Sequence, residues 1–156
     1  MSHGLPAGAA LIAVCALGLA AAQPVEVWSS AELKASAERL SSEAQAKSIA
    51  GSTLGAWGYY SASLWRRAKS GEAELHKTKV DLIVVEDGAA TLVTGGAIPD
   101  AHTTTANEVR GSSIRGGASR KIGAGDIIRI APNTPHQFVL DKGQSISYFA
   151  LKLAAR

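Results

Sequence analysis

From Gly51 onward, the sequence consists of short apolar or alternating runs separated by Gly, Pro, Asn and Asp, and this pattern constrains the fold more than any other feature. Such runs are typical of an all-β sandwich or barrel. The 156 residues, 46% of them hydrophobic, are enough for one domain with its own core. The predicted strands lie at residues 53–60, 61–67, 73–78, 81–86, 90–94, 112–115, 126–130, 137–140 and 145–153.

Two connections between these strands have distinct sequence signals. Glu86, Asp87 and Gly88 stand between two apolar runs, which predicts a tight turn and a β-hairpin over residues 82–93. Residues 95–111 are polar and include Pro99 and a threonine triplet, so we expect them to leave the barrel as a long loop.

One helix precedes the strands. Residues 28–46 are rich in Ala, Glu, Lys and Leu, with apolar residues on one face at spacings of three and four. Ser29 and Glu32 have the spacing of a capping box, which predicts the start of the helix.

The N-terminus is predicted to be a signal peptide. Residues 1–22 contain no Asp, Glu, Lys or Arg, and the apolar run from Ala9 to Leu19 is too short to span a bilayer comfortably. Ala20–Ala22 supply a small-residue cleavage pattern, although an uncleaved anchor is the alternative. We therefore expect a periplasmic or extracellular protein without stable membrane insertion after cleavage. The expected organisation is a signal peptide at 1–22, a helical segment at 23–50 and a β-domain at 51–156.

A strand and a turn precede His136, the first candidate functional residue. After Gly125 and Asp126 comes an apolar strand, followed by Pro132 and Asn133. Proline sets φ at the second position of a turn and asparagine tolerates positive φ at the third, which favours a type II turn. Such a turn would determine where the His136 side chain points.

The same segment resembles the second conserved motif of the cupin superfamily, G(X)5PXG(X)2H(X)3N. Gly125 and His136 match at the right separation, while Pro132 lies beside the motif proline position and Asn133 replaces the glycine. Leu140 stands at the position of the closing asparagine.

An altered form of the first cupin motif, G(X)5HXH(X)3,4E(X)6G, lies upstream. Glu74 occupies the first histidine position, His76 the second and Asp81 the glutamate position, and Gly88 closes the motif. The resemblance covers residues 51–153 and implies a jelly-roll β-barrel with one N-terminal helix. Small exported bacterial proteins with a single cupin domain are similar, and cupins often form dimers, so the resemblance also implies a homodimer.

The motif residues also suit a metal site on chemical grounds. Glu74 and His76 are two residues apart on a predicted strand, so both side chains point to one face, which can be the barrel interior. Asp81 begins the next strand and His136 a distant one. Two imidazoles with one or two carboxylates suit divalent Fe, Mn, Zn, Ni or Cu, and leave coordination positions open for substrate or water.

Structural roles for the two acids remain open at this point. Asp81 can be a turn or strand-start residue that caps Lys77 or Lys79. Glu74 can lie on a solvated strand face opposite Lys121 or Arg120.

Three functional hypotheses follow. The first is a metal-dependent enzyme with dioxygenase-like, isomerase-like or lyase-like activity on a small organic molecule. The second is a non-catalytic barrel that binds a sugar or an aromatic acid. The third is a packed structural or dimerising domain, because the apolar run Leu82–Val85 is typical of a strand buried on both faces.

Other sequence features argue against further classes of function. Basic residues exceed acidic ones only by 16 to 13 and are scattered, so we expect no nucleic-acid partner. The serines lack a nucleophile-elbow context, which argues against a covalent hydrolase. His102 is expected at the surface, and the predicted barrel-wall or dimer-contact aromatics, one or two of which can line a pocket, are Trp57, Tyr59, Tyr60 and Trp65. The basic residues predicted to be solvated are Arg66, Arg67, Lys69, Lys77, Lys79, Arg115, Arg120 and Lys121.

Overall fold

The fold is described by a computed structural model of residues 25–155. The predicted signal peptide at residues 1–22 lies outside these described residues. No helix within them is both long and apolar enough to cross a membrane. The elements in chain order are α1 (Ser30–Lys47), β1 (Ile49–Ala56), β2 (Tyr60–Arg67), β3 (Ala73–His76), β4 (Lys79–Thr94), β5 (His102–Thr105), β6 (Glu108–Gly111), β7 (Ala118–Gly123), β8 (Ile127–Ile130), β9 (His136–Val139) and β10 (Ile146–Ala154).

Helix α1 begins where the capping box predicts. The Ser29 hydroxyl accepts a hydrogen bond from the Glu32 backbone N–H at 3.3 Å, and the Glu32 carboxylate accepts one from the Ser29 N–H at 2.8 Å. Both bonds satisfy donors that the first helical turn leaves unpaired. Leu40 and Ala44 are fully buried against the outer side of β1 and β2, so α1 covers this part of the sheet.

The strands form a curled antiparallel sheet in the order β1-β2-β10-β4-β9-β3-β6-β5, with β7 and β8 also paired to β4. The first half of β4 lies between β8 and β10, and its second half lies between β7 and β9. One strand therefore belongs to both walls of the barrel, and this is how the sheet closes around a common interior.

The predicted hairpin at residues 82–93 is wrong, because β4 continues through Glu86, Asp87 and Gly88. Gly88 has φ +79° and pairs with Ile146, and a Cβ at this position would collide with the carbonyl oxygen of Ser145. The glycine thus lets β4 bend sharply beneath the start of β10 instead of reversing.

Residues 95–111 contain a hairpin of β5 and β6 and are not a loop that leaves the barrel. Strand β6 pairs with β3 along its whole length, which places it beside the motif residues. The strand predicted at 112–115 is wrong, since only an isolated bridge between Ala97 and Arg115 occurs there. Strand β7 was not predicted because its first four residues are exposed and three of them are polar. It is held by backbone pairing with β4.

The core fills the barrel interior next to the site. Its buried side chains include Ile83, Val85, Leu92 and Ile146, and the rings of Phe138 and Tyr148 stack with centroids 5.1 Å apart. Because this packed layer closes one end of the barrel, the polar motif residues lie above it in a cavity.

Candidate metal and ligand site

The turn before β9 positions His136. Asn133 has φ +57°, as the type II turn requires, and its backbone N–H donates to the His76 carbonyl oxygen at 2.9 Å. This bond joins the turn to the end of β3. In addition, Glu74 lies directly opposite His136 in the β3–β9 pairing, so the two motifs meet through backbone contacts.

The structure brings all four predicted site residues together in the barrel interior. Glu74 and His76 come from β3, Asp81 is the third residue of β4, and His136 is the first of β9. Their side chains are 13%, 4%, 5% and 3% exposed, respectively. Groups this deeply buried must be paired, bound to a metal or held neutral.

The donor atoms of Glu74, His76 and His136 form a compact group, and the Asp81 carboxylate lies beside the two histidines. Asp81 Oδ2 lies 3.3 Å from His76 Nε2 and 3.6 Å from His136 Nε2. Glu74 Oε2 lies 3.7 Å from His76 Nε2, and donor atoms of Glu74, His76 and His136 all lie within 4.8 Å of one another. For comparison, tetrahedral metal–ligand bonds of about 2.1 Å give donor–donor edges of roughly 3.4 Å. The donor set therefore suits a borderline divalent ion in both chemistry and spacing.

Both imidazoles direct Nε2 towards this centre. The Nδ1 atom of His76 pairs with the Glu108 carboxylate, and Nδ1–H of His136 donates to the Thr134 carbonyl oxygen at 3.0 Å. Acceptors on Nδ1 hold the ring orientation, as is usual around metal-binding histidines. The Nε2 atom of His136 then faces the centre, whereas that of His76 lies 2.7 Å from Lys152 Nζ.

The pKa values of the two imidazoles are shifted in opposite directions. Burial lowers the pKa of His136 more than the nearby carboxylates raise it, so this ring is neutral at neutral pH. Burial also disfavours the charged form of His76, but its hydrogen bond to Asp81 and the charges of Asp81 and Glu108 give a net rise in its pKa.

Three cations complete the network. Arg67 and Arg110 each place a guanidinium nitrogen 2.7 Å from the Glu74 carboxylate. Lys152 Nζ lies 2.9 Å from Asp81 Oδ1 and 2.7 Å from His76 Nε2. Every buried carboxylate at the site therefore has a cationic partner.

These cations keep both acids ionised. Burial opposes ionisation of Glu74, but Arg67 and Arg110 give a net lowering of its pKa. Burial likewise opposes ionisation of Asp81, yet its hydrogen bonds to His76 and Lys152 hold its pKa at about 2.

The expectation that Arg67 is solvated is wrong. Arg67 is only 6% exposed. Its Nε–H donates to the Tyr148 hydroxyl at 2.9 Å, and its guanidinium lies 5.2 Å from the centre of the Phe138 ring. The solvated alternative for Glu74 is also wrong, because this carboxylate is 13% exposed and faces Arg67 and Arg110.

A cavity of about 240 Å³ opens above these groups. Its polar side is formed by the ion-pair network, and its apolar side by side chains that include Trp65, Ile83, Phe138 and Tyr148. Of the aromatics singled out in the sequence, only Trp65 lines this cavity. Trp57 and Tyr60 stack on the outer surface, and Tyr59 is 81% exposed.

Sequence reasoning did not identify five residues of the site: Arg67, Glu108, Arg110, Tyr148 and Lys152. They lie on β2, β6 and β10, outside both motifs, and reach the site through strand pairing. Lys152 is the one case with a local signal, because it alternates with apolar neighbours on the last strand and so shares the inward face with Tyr148 and Ala150. By contrast, His102 is exposed on β5, as expected.

No protein-family model and no curated protein sequence matches this chain. Among solved structures, the polyketide cyclase RemF from Streptomyces resistomycificus aligns with a TM-score of 0.50 and 19% identity over 69% of this chain and 66% of its own. A double-stranded β-helix domain protein from Klebsiella pneumoniae aligns at 0.51 and 14% identity, over 69% of this chain and 78% of its own. A cupin-2 domain protein from Rhodospirillum rubrum aligns at 0.50 and 12% identity, over 70% of this chain and 62% of its own.

These similarities define the class of fold. The chain is an all-β protein with the cupin jelly-roll fold and one N-terminal helix, as the motif resemblance predicts. It spans just under two thirds of the cyclase and of the Rhodospirillum rubrum protein. At these identities the comparison establishes the fold, whereas the chemistry has to be argued from the site itself.

Proposed function

We propose that this cupin-fold protein binds a divalent metal ion through His76, His136, Glu74 and Asp81, and acts on a small organic molecule in the barrel cavity. The observation that carries the proposal is the arrangement of the two imidazoles. Each has Nδ1 held by an acceptor, and both Nε2 atoms face the Asp81 carboxylate. Two histidines with a carboxylate are also the donor set of non-haem iron oxygenases.

The surrounding residues have separate roles in this proposal. A bound Fe, Mn, Zn, Ni or Cu ion would supply Lewis acidity or oxygen activation, which suits dioxygenase-type or isomerase-type reactions. Glu108 and the Thr134 carbonyl orient the two rings, while Trp65 and Phe138 provide an apolar wall for the substrate. The similar fold of a polyketide cyclase supports a small organic substrate.

The test is elemental analysis of protein purified without chelator or affinity histidines. His76→Ala and His136→Ala are compared with His102→Ala, which removes an exposed histidine from the same barrel. We expect near-stoichiometric metal in the native protein and in His102→Ala, and its loss from both site variants. Metal at background level in the folded native protein after incubation with each of the five ions would refute the proposal.

A second candidate function is a barrel that binds a small ligand, such as a sugar or aromatic acid, without a metal. The charge balance favours this alternative, since Arg67 and Arg110 already neutralise Glu74 and Lys152 neutralises Asp81. Ligand binding that survives removal of all metal, together with background metal in the native protein, would support it over the metal centre.

We also propose a homodimer formed through the outer face of β4, β8 and β10. Helix α1 covers the neighbouring β1 and β2, but Leu82, Leu151, Leu153 and Ile127 lie on the uncovered side, and Ile127 is 72% exposed. Uncovered apolar sheet faces are typical of interfaces between identical chains. Light scattering after gel filtration should give twice the chain mass, and Leu82→Glu should give monomers.

We further propose that the protein is exported and that residues 1–22 are removed as a signal peptide. The proposal depends on the uncharged apolar N-terminus and the small residues before Gln23. N-terminal sequencing of protein recovered from a secreting bacterial host would find Gln23 as the first residue. An intact N-terminus in the membrane fraction would contradict cleavage.

A further inference from the structure

The cavity has an excess of positive charge. Three cations line it, Arg67, Arg110 and Lys152, against the two carboxylates Glu74 and Asp81. The cations therefore outnumber the carboxylates by one, and any bound divalent cation would increase this excess. Glu108 is outside the cavity lining, on the Nδ1 side of His76 and 4.0 Å from Arg110 NH2.

Two of the cations are available to a ligand. Arg67 is committed to Tyr148 and Glu74 within the core, with a side chain only 8% exposed. By contrast, the side chains of Arg110 and Lys152 are 28% and 31% exposed.

Both available cations keep free N–H donors. The Lys152 ammonium has three N–H groups, and within residues 25–155 only His76 and Asp81 accept from them. Arg110 places NH1 on Glu74, while its NH2 is 4.0 Å from Glu108, too far for a strong bond.

A second cavity of about 260 Å³ adjoins the first and shares Arg67, Glu74 and Arg110 with it. Its lining adds Lys69 and Glu72, so its charged groups also sum to one positive charge.

The inner cavity also has an apolar side. Trp65, Phe138 and Ala150 form part of its wall. Its volume of about 240 Å³ is below the range typical of drug-sized sites, so only a compact molecule fits. A ligand that matches both sides has one charged end and one apolar end.

We propose that the ligand of this cavity is a small organic carboxylate with an apolar body, and that Arg110 and Lys152 bind its carboxylate. The inference rests on the proposed function only in taking the cavity as the small-molecule site. It holds for the metal-bound and metal-free versions alike, because both leave the cavity positive.

Calorimetric titration with benzoate and butyrate, each compared with its neutral amide, tests this inference on the full folded chain. We expect each carboxylate to bind at least roughly tenfold more tightly than its amide. Arg110→Gln and Lys152→Gln should each remove most of that preference. Arg39→Gln and Lys121→Gln make the same charge changes at surface sites and should leave it intact.

The result that overturns the inference is equal affinity for acid and amide, or no binding of either carboxylate at millimolar concentrations. Preference that survives in both cavity variants also overturns it. Metal content measured on the same samples keeps the two proposals apart. Carboxylate preference without metal would refute the metal centre alone, and metal without carboxylate preference would refute this inference alone.

Discussion

Replacing Arg67 by methionine tests whether the buried ion pairs stabilise the barrel. Methionine keeps an unbranched apolar side chain beside Phe138 but removes the guanidinium that holds Glu74 and the Tyr148 hydroxyl. Glu74 would then be a carboxylate with a side chain only 13% exposed and one remaining cation, Arg110. Its charge would be poorly compensated in a medium that solvates ions weakly.

Removal of one partner from a buried ion pair typically costs about 3–5 kcal/mol of unfolding free energy. Because Arg110 stays 2.7 Å from Glu74, we expect the lower end for Arg67→Met, about 3 kcal/mol. Arg39→Met is the matched control, since Arg39 pairs with Glu43 at 3.0 Å on the exposed face of α1. Exposed pairs of this kind contribute roughly 0.3–0.5 kcal/mol.

Urea unfolding of chelator-treated protein measures both values, and adding Glu74→Gln completes a double-mutant cycle. The double variant should lose clearly less stability than the sum of the two single variants, because it removes the uncompensated charge. If Arg67→Met costs less than about 1 kcal/mol, or if the two effects add, the buried network does not stabilise the fold as argued.

Three further predictions concern the bend in β4, the helix cap and the lysine of the site. Gly88→Ala should lower the unfolding free energy more than Gly143→Ala in urea, because both positions have positive φ but only Gly88 also abuts backbone. Ser29→Ala should cost about 1 kcal/mol in the same assay, with reduced helical circular dichroism. Lys152→Met should increase metal affinity roughly tenfold in chelator competition, because it removes a competing cation, while Lys121→Met leaves it unchanged.

Local patterns were sufficient for much of the fold. The Ser29 capping box predicts the start of α1 because its hydrogen bonds lie within one turn of helix. Alternation in the last strand likewise predicts β10. The prediction failed at Gly88, where Asp87 and Gly88 form a bend within one strand instead of a turn between two strands. It also failed at β7, because the exposed side chains of this strand show no regular alternation of apolar residues. In both cases, strands distant in sequence decide the local conformation.

The residues of the candidate site also divide into those that local sequence predicts and those that depend on distant strands. Glu74, His76 and His136 could be found because motif spacing encodes a strand, a turn and the face that each side chain occupies. Arg110 could not, since nothing near it in sequence indicates that β6 pairs with β3. For Lys152, alternation indicates the inward face of β10 but not that β10 lies beside β4. The charges around the site come from strands that pair over long distances in sequence. The candidate metal ligands, by contrast, can be recognised from short sequence motifs.

That charge environment bears on which metal the site can hold. Lys152 Nζ lies 2.7 Å from His76 Nε2 and 2.9 Å from Asp81 Oδ1, so an ion that binds both residues must displace the ammonium. The displacement costs the same for every divalent ion, whereas the gain follows the intrinsic order Mn < Fe < Co < Ni < Cu > Zn. An equal cost lowers every binding constant by the same factor and leaves this order unchanged, so ions at its weak end are the first to fall below the affinity at which a metal stays bound. Two nitrogen donors reinforce the trend, and we expect the native protein to retain Cu, Ni or Zn in competition with Mn.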